Sequence, residues 1–309
     1  MKKNCSAIFF VLMTIVAWSQ EKTVAERLGY PKDTKLLIIH ADDLGVSHSE
    51  NMASTQAMEK GAVTSASIMV PCPWLPEIAA YAKAHPNACL GLHLTLTAEW
   101  KIYKWGPVTP HDQVPSLLDG NGYLNESVEA FLKTAKPDEV EKELRNQIER
   151  AKHLGIDPTH FDAHMGAAFS TEKFLESLIK LGHEYKVPVL ISKDFSRVLN
   201  IDYKKYVSDK DVIVDRVIIA SGRDYASGME NFYVQQIKSL PAGLNVLLLH
   251  AAYDNDEMKA ITVDHEDYGA TWRQQDFNFF TSEKCKKLLA DEKIKLVTWK
   301  EIRDKIVRK

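Results

Sequence analysis

Eight short runs rich in aliphatic and β-branched residues punctuate the chain: Leu36–Ala41, Thr64–Val70, Ala88–Leu96, Thr159–Ala163, Val187–Ser192, Val212–Ala220, Leu244–Leu249 and Ile294–Trp299. Between them lie segments of helical periodicity, at His48–Lys60, Trp74–His85, Asp138–Leu154, Thr171–Glu184 and Glu283–Ala290. In Asp138–Leu154 the apolar Val140, Leu144, Ile148 and Ala151 recur at three- and four-residue steps, so its Glu and Lys residues form a solvated face. Thr171 has the chemistry of an N-cap for the helix after it. Strands that alternate with helices pair in parallel, because each crossover passes through a helix. The pattern predicts one α/β domain, a parallel (β/α) barrel that is TIM-like with seven or eight strands. A doubly wound open sheet is the alternative. No internal repeat or linker divides the chain.

Composition adds exclusions. Hydrophobic residues make up 45 % of 309, enough for a large core. Lys and Arg number 39 against 42 Asp and Glu, so no overall charge draws the chain to nucleic acid or an anionic membrane. Lys2 and Lys3 precede an apolar stretch, Ala7–Trp18, and Ala17-Trp18-Ser19 offers small residues for cleavage. Residues 1–19 therefore read as a signal peptide, with an uncleaved anchor as the alternative. The mature chain, 20–309, would be periplasmic or secreted, with no stable membrane span. Cys72, Cys89 and Cys285 then remain, none in C-x-x-C spacing, and read as buried structural thiols.

Four sites carry chemistry. His40-Ala41-Asp42-Asp43-Leu44-Gly45 ends the first strand; strand alternation sends adjacent carboxylates in different directions, one free to hold a metal and the other to move a proton. In Gly91-Leu92-His93-Leu94-Thr95 the same alternation puts Gly91, His93 and Thr95 on one face. Thr159-His160-Phe161-Asp162-Ala163-His164 places two imidazoles and a carboxylate on a common face, which suits a metal with a supporting acid or a structural hydrogen-bond ladder. Val246–His250 is an apolar strand ending in a histidine fit for acid–base work or for a cap. In a parallel barrel all four sites lie at strand C-termini, on one face. Asp43, His93 and His164 then supply three ligands for a divalent metal, Asp42 a base and His250 an acid.

The segment from Ala98 to Pro137 has no clear period and carries Trp100, Tyr103 and Trp105, which either stack on sugar rings or pin the loop to the barrel.

Ala41-Asp42-Asp43-Leu44-Gly45, Thr64–Met69, Gly91-Leu92-His93-Leu94 and Thr159–His164, in this order, resemble the YdjC-like carbohydrate deacetylases over about Leu36 to Ile302. The resemblance implies a (β/α) barrel with one divalent ion, zinc or magnesium, on Asp43, His93 and His164. It implies Asp42 as base, His250 as acid, and Arg273 as a residue that orients substrate or a catalytic carboxylate. His160 and Trp105 join Arg273 as expected substrate contacts. The expected reaction is removal of acetyl groups from an acetylated sugar or oligosaccharide. The partner is that substrate and not nucleic acid; a homodimer is left open. Two departures stand out: Met165–Phe169 follows the third motif where the family has further histidines, and Ala251-Ala252 follows His250 where it has Pro-Gly. A metal-dependent phosphoesterase or sugar isomerase on the same barrel face is one alternative. A non-catalytic glycan-binding relative is the other.

Overall fold

A computed structural model describes residues 22–309; the expected signal peptide lies outside the described residues. The strands are β1 (Lys35–Leu44), β2 (Ser65–Ile68), β3 (Leu90–Leu94), β4 (Phe161–Ala163), β5 (Ile191–Ser192), β6 (Ile213–Val214), β7 (Arg216–Ile218), β8 (Gly243–Leu249) and β9 (Lys295–Leu296). They match all eight expected runs, with Val212–Ala220 split into β6 and β7 at Asp215. Every ladder is parallel. β1 to β4 pair in chain order, β8 flanks β1 on its other side, and β7 flanks β8. A bridge from Phe161 to Val189 and the β5–β6 ladder continue the curl from β4 towards β7. The parallel sheet predicted from the alternation curls into an incomplete barrel surrounded by helices, and a flat doubly wound sheet does not form.

Residue alternation sorts two cores. Leu36 and Ile38 of β1 meet Leu190, Val214, Leu244 and Val246 in an interior cluster. Leu37, Ile39 and Ala41 point the other way, into the larger cluster between strands and helices. A strand buried on both faces has to be apolar at consecutive positions, as β1 is. The interior cluster also takes Ala25 and Leu28 of the helix Val24–Leu28 and Trp299, Ile302 and Ile306 from the C-terminus. That leaves the end reached by the strand C-termini for polar side chains. His48–Lys60 is helical as expected, and Thr171 accepts from the Phe174 N–H at 3.2 Å as the N-cap. Cys72, Cys89 and Cys285 are buried free thiols.

Two expectations are corrected. The last strand stops at Leu296, and Trp299 opens a helix capped by Thr298. The region 98–137 is not wholly irregular: Val128–Thr134 is helical, and short turns at His111–Gln113 and Pro115–Leu117 precede it.

Candidate active site

β1 does something at its end that alternation forbids. Asp42 and Asp43 together oppose the single residue Ser67 of β2, a bulge between the pairs Ala41–Ala66 and Leu44–Ile68. Asp43 takes φ 68°, a strained left-handed backbone for a residue with a side chain. Both carboxylates therefore reach one site, where the expectation had them pointing apart.

Asp43 Oδ1 lies 3.5 Å from His93 Nε2 and 3.4 Å from His164 Nδ1. Ligand atoms of these three residues lie within 4.8 Å of one another. Each is held from behind. Arg273 donates to Asp43 Oδ2 at 2.9 Å, His93 Nδ1 meets Asp162 Oδ1 at 2.7 Å, and His164 Nε2 meets Glu99 Oε2 at 2.8 Å. Metal-binding imidazoles characteristically give their second nitrogen to such a carboxylate. Asp43 Oδ1 and His164 Nδ1 are buried without a hydrogen-bond partner, an expensive state unless a further group completes them. One carboxylate and two imidazoles, converging and incomplete, fit a divalent cation.

Asp42 sits beside this trio. Its Oδ1 accepts from Ser67 at 3.2 Å and lies 2.9 Å from His40 Nε2, which is also 2.9 Å from Asp162 Oδ2. Its Oδ2 lies 3.9 Å from His250 Nε2. His250 is anchored through its backbone N–H, which donates to Asp276 Oδ2 at 2.9 Å. Tyr268 covers its ring edge-on at 5.0 Å.

The electrostatics follow from crowding five carboxylates with few cations. Burial works against charge on His40, but Asp42 and Asp162 on either side push its imidazole up to about 10. Burial likewise opposes charge on His164, and Glu99 and Asp43 overcome it, again to about 10. Asp43 is held well below the usual carboxylate range by Arg273 and His164, against its burial. His250 goes the other way: burial, with Arg273 adding to it, brings its ring down to about 4, so it is neutral at pH 7. Burial pushes Asp276 up to about 7. Protons on His40 and His164 offset part of the carboxylate charge.

Arg273, expected to orient substrate or a catalytic carboxylate, is buried at the edge of the cavity and contacts the Asp43 carboxylate. Its Nη1 contacts Glu50 at 2.6 and 2.7 Å, its Nη2 contacts Asp43, and its Nε donates to the Tyr268 carbonyl at 2.7 Å. His160 and Trp105 are corrected. His160 is fully buried below the site, stacked on Trp299 at 5.2 Å, and Trp105 is 3 % exposed with its indole N–H on the Thr97 carbonyl. Neither is among the residues lining the cavity of about 860 Å³ over the site, whereas Trp100 is. Tyr103 donates to the Val46 carbonyl at 2.6 Å, and Trp100, although it borders the cavity, is itself buried against Arg273 and His265, so all three loop aromatics help pin the loop. Glu50, Glu99 and Asp276 escaped sequence reading. Each is an acidic residue in a loop or helix whose partner lies between 26 and 223 residues away in the chain.

A family model described as YdjC-like protein matches residues 36–291. The chain belongs to the YdjC-like family. Among curated relatives, a protein named carbohydrate deacetylase from Thermus thermophilus is 29 % identical over 286 residues, 90 % of this chain and 97 % of that protein. Another, from Brevibacillus brevis, is 29 % identical and covers 86 % of this chain and 99 % of its own. A solved structure from Enterococcus faecalis V583, described only provisionally as a cellobiose-phosphate cleavage protein, superposes with a TM-score of 0.73. It is 22 % identical and covers 87 % of this chain and 99 % of that one, which establishes the shared fold. The YdjC-like match thus spans all four motifs from β1 to β8.

Proposed function

We propose that this YdjC-like protein is a metal-dependent carbohydrate deacetylase. The observation that carries the reading is the convergence of Asp43, His93 and His164 beside Asp42 at the floor of one cavity, in a chain alike over nearly its whole length to proteins named carbohydrate deacetylases. A divalent ion on those three residues supplies Lewis acidity towards water and the acyl oxygen. The imidazole-rich donor set suits zinc or a similar late ion better than magnesium.

The chain's own residues do the rest. Asp42 accepts the proton of the attacking water through Oδ2, while Ser67 and His40 occupy Oδ1 and hold the carboxylate in place. Arg273 keeps Asp43 ionised and oriented. His250, 3.9 Å from Asp42 Oδ2, is neutral at rest; it takes up the proton that Asp42 received from the water and passes it to the departing nitrogen or oxygen. Residues 1–19 we read as a signal peptide, which puts the activity outside the cytoplasm.

The test is acetate release from N- and O-acetylated sugars by apo protein reloaded with Zn²⁺, Mg²⁺, Mn²⁺ or Co²⁺. Metal-dependent release is expected, lost in Asp42→Ala with the ion still bound and lost together with the ion in His93→Ala. An active, metal-replete His93→Ala protein would overturn the ligand assignment.

A further inference from the structure

The cavity has a wall that a sugar does not need. Leu190, Val198, Val217, Ile219 and Leu248 line it with aliphatic groups, and Val198 and Ile219 are 65 % and 48 % exposed. Exposed aliphatics clustered inside a cleft mark a place where something apolar binds. Hydroxyl groups buried there would lose water without gaining partners, at a cost of about 1–3 kcal/mol each. The wall also adjoins the reacting atoms. Leu248, on β8, is two residues before His250, which directly follows the strand, so the two side chains leave on the same side. Val217 pairs with Val246 and Ile218 with Leu247, so Ile219 falls beside Leu248 one step further along the ladder. Leu190 donates its N–H to the Phe161 carbonyl, next to Asp162. Groups suited to hydroxyls stand around this wall: Glu99 on one loop, His265 and Asp267 on another, and Ser192, Asp194 and Arg197 on the segment that carries Leu190 and Val198. These two loops are tied together by the Lys101–Asp264 ion pair and by the Trp100 and His265 rings, 4.9 Å apart.

We propose that the protein removes acyl groups longer than acetyl from a sugar, the acyl chain lying along the aliphatic wall of Leu190, Val217, Ile219 and Leu248 beside His250. The inference rests on the deacylation reading above and specifies its substrate. The bond chemistry is hydrolysis: the water oxygen joins the acyl carbon, the acyl–nitrogen bond breaks, a proton from the water passes to the nitrogen, and the products are a fatty acid and an amino sugar. The sugar takes the polar loops and the chain takes the wall.

The experiment follows amine release from N-acetyl-, N-butyryl- and N-hexanoylglucosamine by the zinc-loaded protein. A buried methylene contributes about 0.8 kcal/mol, roughly four-fold, so kcat/KM for the butyryl sugar is expected to exceed the acetyl value by up to about fifteen-fold. Ile219→Asp, at a half-exposed position, should lower the hexanoyl-to-acetyl ratio at least five-fold. Acetyl as the fastest substrate, with longer chains slower, would overturn the inference while leaving the deacetylase reading in place. A gain from an octyl group at the anomeric carbon, with none from acyl length, would also overturn it. Release from no substrate would count against the deacylation reading. Calorimetry on Asp42→Asn protein would then decide the inference, which expects N-hexanoylglucosamine to bind more tightly than N-acetylglucosamine and fails if the two bind equally.

Discussion

A single methyl group added at Gly91 should destabilise the protein by about 3 kcal/mol. Gly91 sits in β3 with ordinary strand backbone, where Gly→Ala alone stabilises by about 0.4–1 kcal/mol by restricting the unfolded chain. Here the sign reverses. A Cβ at Gly91 would meet three ring atoms of His160, with Nε2 2.5 Å away and Cε1 and Nδ1 closer still. The ring has little room to retreat, being stacked on Trp299, edge-on to His40 at 4.7 Å and 3.0 Å from the Thr159 hydroxyl. Driving it out forfeits packing comparable to that of a buried aromatic, about 3–5 kcal/mol, and the unfolded-state gain offsets part of that. Urea unfolding of wild type, Gly91→Ala, His160→Ala and the double variant measures the effect and its cause. If the clash is the cause, the methyl fills space that the ring has left, and the double variant is no less stable than His160→Ala alone. Gly120→Ala, where a Cβ meets nothing within 4 Å, is the control and should be neutral or slightly stabilising. A Gly91→Ala protein within 0.5 kcal/mol of wild type, or strictly additive effects, would refute the argument.

Further outcomes are expected at the site's supporting carboxylates. Glu99→Gln leaves His164 Nε2 without its anionic partner and should weaken metal affinity about 10- to 100-fold, read by competition with a chromophoric chelator. Asp276 gives a pH signature. Its folded carboxyl titrates near 7, above the unfolded value of 3.8, so the folded state holds an extra proton between those values and loses stability as pH rises through them. The ceiling is on the order of 4 kcal/mol. Asp276→Asn should therefore cost more at pH 4.5 than at pH 7.5 by urea unfolding, and an equal cost at both would remove the titration from the account.

What the sequence made legible, and what it hid, follows from the range of each interaction. Strands betray themselves locally: β1 is apolar on both faces because both are buried, and eight such runs spaced by helices leave few folds. The imidazoles were legible because strand alternation puts His160, Asp162 and His164 on one face and the barrel brings strand ends together. The helix Ala270–Thr281 was not, since its buried face carries the charged Arg273 and Asp276 among Trp272, Phe279 and Phe280, which erases the contrast between an apolar and a polar face. Asp43 was assigned to the site, but alternation alone would have turned it away; the bulge that returns it depends on pairing with Ser67, 24 residues on. Trp105 failed as a substrate contact for a related reason, as nothing local distinguishes an aromatic that faces a cavity from one that holds a loop down.

The charge balance around Asp43 leads to a last prediction, in which the metal and the arginine act on the same carboxylate. Arg273 bridges Glu50 and Asp43, all three nearly or fully buried. Arg273→Met removes the guanidinium and leaves two buried carboxyls facing each other, a change of the kind that costs about 3–5 kcal/mol. A divalent ion on Asp43 would restore positive charge at one of the two, leaving Glu50 uncompensated. The loss should therefore be larger in the apo protein than in the zinc-loaded protein. Adding Glu50→Gln to Arg273→Met should recover most of what remains in the loaded state, because no ionisable carboxyl is then left unpaired beside Asp43. Thermal unfolding of the wild type and both variants, with and without zinc, separates these contributions. If Arg273→Met loses equal stability in both states, then Arg273 and the ion do not share Asp43, and the ligand set must be drawn from one of the other two buried clusters, His40, His160 and Asp162 or Asp42, His93 and Asp162.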